Sequence, residues 1–252
     1  MGWDINQRTN LLLGLFIASL MMANLLGTKI TSFELTPILA MPLNFIFFPV
    51  VYILNIFLHS IGGNAVPVNF FDTVHVSVGI LTVPLLFLIT DIVEEVHGKK
   101  KVREFILIGI ISMLVAIVIA QLSVIAPPAE RYTKNDAYVQ IFSSSIRIML
   151  ASISAFVIAQ LHDMWAFQFW KKKTKGKRLW QRSDFSTIVS MLIDSTVFMF
   201  IAFYKITPQW DTVFIISLII PYWIFKILFS LLNGVVIYPA VSWLRGTRKS
   251  AK

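Results

Sequence analysis

Residues 90–101 read TDIVEEVHGKKK, and they follow VSVGILTVPLLFLI (76–89), a run that is apolar almost throughout. Three carboxylates, Asp91, Glu94 and Glu95, stand at the end of a segment that would otherwise enter lipid. A charge at the bilayer centre costs roughly 2.5–3.5 kcal/mol on insertion scales. These acids therefore sit in water at a helix end, or something inside the protein needs them. Gly98 and the lysines after it mark a solvated helix end, and Glu94 belongs with that end. Asp91 and Glu95 are four residues apart, share one helix face, and read as facing inward.

The rest of the chain agrees with a lipid setting. Of its 252 residues 57% are hydrophobic and only 14% charged, with a mean hydropathy of +0.76. Soluble domains are about 45–50% apolar and about 25% charged. Several windows hold 18 or more nearly uncharged residues, which reads as membrane helices. There is no cysteine, so disulfides and thiolate metal sites are excluded. The net charge of +9 invites a nucleic-acid reading, but 15 of the 22 Lys and Arg residues fall in 99–103, 171–182 and 245–252. These clusters flank apolar segments, as the positive-inside rule describes, so the basic balance reports topology.

The expected fold is all-α, a polytopic helical membrane protein forming a single domain over 1–252. Candidate spans are about 10–31, 38–61, 77–97, 104–126, 146–170, 186–206 and 213–236. All are expected to be helices, because backbone in lipid must satisfy its own hydrogen bonds. The basic clusters place the C-terminus in the cytoplasm. The segment 38–61, inside an insert over 32–75, leaves the count at six or seven. Length favours full crossing, which gives seven spans and an outside N-terminus; Pro42, Pro49 and the nearby Arg8 mildly oppose it, and a re-entrant or interfacial path gives six and an inside one. Ser19, Ala23 and Gly27 form a small-residue stripe suited to close helix approach.

Polar groups inside the spans are the candidate site, since an intramembrane ionisable group is a functional hypothesis by default. Gln160 and Asp163 share a face of the fifth span. Ser186, Ser190 and Asp194 form a stripe at four-residue spacing on the sixth. Asp194 lies 12 residues beyond Arg182, about 18 Å along a helix, and Asp163 lies about 12 Å before the Lys171 cluster. Lys226 is far from either end of the last span, and Asn24 and Lys29 are on the first. The last of these could instead snorkel to the interface. Nucleotide-binding, zinc-protease and serine-hydrolase motifs are absent, which argues against a self-powered pump and against an enzyme.

The blocks SVGILTVPLLFLITDIVEEVHGKKKVRE, RIMLASISAFVIAQLHDMWAFQFW, DFSTIVSMLIDSTVFMFIAF and YWIFKILFS resemble the queuosine precursor transporters, also called the vitamin uptake transporter family. The resemblance covers most of 76–244. Asp91, Glu95, Arg147, Gln160, Asp163, Ser186, Thr187, Asp194 and Lys226 fall on its motif positions. Met191 stands where members often carry an amide, and the insert looks longer than in typical six-span members. The resemblance implies uptake of a 7-deazaguanine such as preQ0, preQ1 or queuine across a bacterial inner membrane, without a cofactor. It implies a secondary carrier; the rival is a substrate-binding subunit of an ATP-energised complex, so a homodimer or energising subunits stay open as partners. A guanine-like edge offers adjacent N–H donors to one carboxylate, Asp163 or Asp194, and a carbonyl to Gln160. Trp165, Tyr222, Phe167 and Trp223 are candidate stacking surfaces. Asp91, Glu95 and Lys226 could form an ion network that gates the path or carries a proton.

Overall fold

The computed structural model describes residues 3–60, 64–173 and 179–246. Among these residues seven α-helices follow one another: α1 (Ile5–Leu26), α2 (Pro37–Ser60), α3 (Val83–His97), α4 (Lys99–Ile125), α5 (Asn135–Lys173), α6 (Leu179–Phe203) and α7 (Thr212–Arg245). Strands β1 (Ile30–Glu34) and β2 (Thr73–Ser77) bracket α2, and a 3-10 turn (Val78–Thr82) leads into α3. Five helices, α1, α2, α4, α5 and α7, contain stretches long and apolar enough to cross a membrane, and α6 adds a shorter apolar stretch over Ile188–Phe203. The chain is a polytopic helical membrane protein.

It divides into two compact units. The first comprises Met1–Thr28, Val78–Met149 and Phe225–Lys252; the second comprises Lys29–Ser77 and Leu150–Ile224.

In the first unit, α1 begins with a capping box. The Asp4 carboxylate accepts from the Gln7 N–H, and the Gln7 side chain accepts from the Asp4 N–H. Its core joins Leu12 and Phe16 of α1 to Ile89, Ile92 and Val93 of α3, Val102 and Phe105 of α4, and Val241 and Leu244 of α7. The Thr9 hydroxyl near the start of α1 lies 2.9 Å from His97 Nε2 at the end of α3, so these two helices run antiparallel. At the other end, Gly79 of the 3-10 turn packs on Ala23 and Gly27, so the small-residue stripe of α1 receives the turn.

The span expected over 77–97 is thus a composite. α3 alone has 15 residues, about 22 Å, which is short of a bilayer. The five-residue turn, at about 2.0 Å per residue, extends it by about 10 Å. The turn exists because Gly79 must lie against α1 backbone, and the Thr82 hydroxyl holds it by donating to the Gly79 carbonyl at 2.9 Å.

The ends of α1, α3 and α7 meet. Arg8 donates to the Trp243 carbonyl and lies 5.6 Å from that residue's ring centroid, while Arg245 pairs with Glu95 at 3.2 Å. The N-terminus of α1 and the C-terminus of α7 therefore share one end, beside the lysines that open α4.

In the second unit, β1 and β2 pair antiparallel, Ile30 opposite Ser77 and Glu34 opposite Thr73. This short pair is the one sheet among the described residues of a fold that is otherwise helical, as expected. TVHVS has the alternating, β-branched character of a half-buried strand. α2 runs on through Pro42 and Pro49. The chain then returns along it. Asn55 accepts from the Val66 N–H at 2.7 Å and donates to the Val66 carbonyl at 3.0 Å, and Asn44 accepts from the Phe71 N–H at 2.7 Å. Ala40, Val51 and Leu58 of α2 are buried, as are Val66, Phe70 and Phe71 of the return, and Phe47 meets Phe71 with ring centroids 5.2 Å apart. On α5, buried Ala151, Ala155 and Ala159 repeat at four-residue spacing and permit close helix contact.

Candidate functional site

The site residues divide between the two units. In the second unit, three helices bring polar and aromatic groups to one face of α6. His162 of α5 places Nδ1 3.1 Å from the hydroxyl of Ser190, which is buried. One turn further along α6 stands half-buried Asp194, as the i, i+4 spacing requires. Its carboxylate acts electrostatically on the hydroxyl of Tyr222 in α7. The Tyr222 ring is buried and stacks on Phe198, with centroids 6.1 Å apart and planes 20° from parallel. Trp223 ties the same two helices together, its indole N–H donating to the Ile188 carbonyl at 3.0 Å.

This arrangement combines three chemical capacities. A carboxylate can accept two N–H donors; a hydroxyl–imidazole pair can donate or accept according to the tautomer; an aromatic pair supplies an apolar plane. Neighbouring hydroxyls are spent within the helix, since Ser195 donates to the Met191 carbonyl and Thr196 to the Leu192 carbonyl. His162 and Phe198 were absent from the sequence-based candidates. A signal existed for each: His162 adjoins Asp163, and Phe198 follows Asp194 by one turn.

The remaining candidates of this unit are less central. Gln160 is exposed. Trp165 is 63% exposed and lies stacked on Phe169 at 5.5 Å, with His162 at 5.9 Å. The side chains of Asp163, Ser186, Thr187 and Phe167 lie outside the described ones.

Five candidates lie in the first unit. Lys226 is buried, and Asp91 and Arg147 are half-buried; each is engaged with other groups. Asn24 is buried too, but its amide donates to the Leu20 carbonyl at 2.7 Å and approaches Met113 Sδ at 3.6 Å. It serves the packing of α1 on α4. Glu95 departs most from expectation. It is exposed at the end of α3 and bonded to Arg245, because α3 stops two residues later at His97. Its face is Asp91's by periodicity, but its depth is that of the solvated end.

Residues 77–240, well over half of the chain, match the family model described as "Putative vitamin uptake transporter". A protein of Bacillus subtilis (strain 168) named "Probable queuosine precursor transporter" is 29% identical over 140 residues, 54% of this chain and 61% of the relative. A protein of Haemophilus influenzae with the same name is 25% identical over 168 residues, 65% of this chain and 69% of the relative. The match thus spans about three fifths of the Bacillus relative's length. No solved structure matches the chain. With its apolar helices, its buried lysine and this match, the chain belongs to the vitamin uptake transporter family.

Proposed function

We propose that this protein imports a queuosine precursor, a 7-deazaguanine base, as a secondary carrier. The observation that carries the reading is the α6–α7 cluster, in which Asp194 stands beside the stacked Tyr222 and Phe198 rings. A planar heterocycle with adjacent N–H donors suits that set, with its edge on the carboxylate and its face against an aromatic ring. The Ser190–His162 pair then meets a carbonyl or ring nitrogen. The names of the two relatives support the same substrate class. Charge distribution supports a cytoplasmic position for both termini, with the base entering from the opposite side.

The test is a host that requires an external precursor to make queuosine in its tRNA. Expressing this chain should restore queuosine when a deazaguanine base is fed, and Asp194→Asn should cut restoration at least tenfold at normal abundance. Restoration in a host without energising ATPase partners supports the secondary carrier. No restoration with any base overturns the function, and full activity of Asp194→Asn overturns the site.

A further inference from the structure

We propose that α2 and the chain returning along it form a lipid-embedded hairpin that presents its apolar outer arc to acyl chains without carrying the chain across the bilayer. The inference rests on geometry independent of the substrate site. The excursion leaves from Gly27 and comes back at Gly79, and a Cβ on Gly79 would lie 3.3 Å from Gly27 Cα, so its net displacement is nil. Two points of the excursion, one just beyond α2 and one in β2, also reach the opening of α7. The ring of His75 in β2 lies 5.5 Å from that of Phe214, and Asn64, just beyond α2, approaches the Asp211 carboxylate at 3.5 Å. Length and composition alone would allow α2 to cross, but the path taken does not.

The partner follows from the surface of α2. Its 24 residues include no Asp, Glu, Lys or Arg. Ile38 is 84% exposed and Phe45 83%, and Met41, Ile46, Ile53 and Phe57 are exposed as well. At 100° per residue, the exposed apolar positions cover an arc of roughly 200°. A soluble protein does not leave such a surface to water. A second copy of the chain would cover one ridge of a helix, not an arc that wide; a fluid hydrocarbon covers all of it.

The inner face supplies the complementary evidence. Non-helical backbone at membrane depth is tolerated only where its polar groups are satisfied by protein. Asn44 and Asn55 are 11 residues, three turns, apart and share the inner face. Asn55 takes both backbone groups of Val66, and Asn44 takes the N–H of Phe71 and reaches Asp72 at 2.9 Å. In water these groups would need no such partners.

The absence of native cysteine makes the test direct. Single cysteines are introduced by Phe45→Cys, Ile53→Cys, Asn64→Cys and, as a reference in the α4–α5 connection, Ala129→Cys. Each full-length variant is labelled with a membrane-impermeant maleimide in right-side-out and inverted vesicles. Asn64→Cys should label from the same side as Ala129→Cys. Phe45→Cys and Ile53→Cys should label at least tenfold more slowly than Ala129→Cys from either side, yet react with a lipid-soluble maleimide. Should Phe45→Cys fail to accumulate, Ile38→Cys on the same arc gives the same reading. Labelling of 64 from the side opposite to 129 would mean that α2 crosses. Fast labelling of 45 and 53 by the impermeant reagent, or near-complete oxidation of either to a disulfide-linked dimer, would mean that water or a second copy covers the arc. Any of these outcomes overturns the proposal.

Discussion

Gly79 lays its bare Cα against the backbone of Ala23, so that a Cβ there would run into the Ala23 carbonyl oxygen and lie 3.3 Å from Gly27 Cα. Backbone cannot step aside as a side-chain tip can. Gly79→Ala should destabilise the protein by about 1–3 kcal/mol, the usual cost of overpacking. Gly109→Ala is the control. Its Cβ would meet only the side chains of Leu20 and Phe16, at 2.9 and 3.0 Å, and alanine favours the helix by about 0.5–1 kcal/mol. Thermal unfolding of the two variants in detergent should show a clear loss for the first and little change for the second.

The Glu95–Arg245 pair spans 3.2 Å between exposed side chains. Such pairs contribute about 0–1 kcal/mol. Glu95→Gln should therefore leave both the unfolding temperature and the uptake rate close to those of the parent. A tenfold loss of uptake would return Glu95 to the transport path that the sequence first suggested.

Tyr222→Phe keeps the stack on Phe198 but removes the hydroxyl that feels Asp194. One hydrogen-bonding group is typically worth about 1 kcal/mol, or roughly fivefold in affinity. The variant should show a KM for the base raised about fivefold with little change in stability. Tyr222→Ala should lose more, because it also removes the ring.

His75 sits in β2 with its ring edge-on to Phe214, and its Nδ1 is buried without a hydrogen-bond partner among the described residues. Burial lowers its pKa below the ordinary imidazole value. The unfolded chain then binds more protons than the folded one just below pH 6.5, so stability falls as the pH drops through that region. Above it the penalty is absent. His75→Phe keeps the ring contact and removes the titration, so its unfolding temperature should vary less between pH 7 and pH 5 than the parent's.

Periodicity placed Ser190 and Asp194 on one face of α6 and Asp91 with Glu95 on one face of α3, because i, i+4 spacing is a local property of any helix. It could not place them in depth. Glu95 is exposed because α3 stops at His97, and Asn24 is committed because Met113 of α4 and the Leu20 carbonyl take its amide. Phe198 shares the i, i+4 face of Asp194, but its stack on Tyr222, like the approach of His162 to Ser190, is a contact between helices that no spacing within one helix encodes.

Composition alone determined that this is a helical membrane protein. A chain 57% hydrophobic, with its basic residues gathered at the ends of long continuous apolar runs, satisfies its backbone in lipid within helices, since barrel strands would be short and alternating. Only the tertiary structure decided the path of the segment 30–77. Hydropathy reads α2 as it reads any span, since it measures transfer of side chains and not where the chain goes next. The pairing of β1 with β2, the two asparagines holding the return, and the seat of Gly79 on Ala23 are contacts between residues far apart in sequence, and they bring the chain back to where it left.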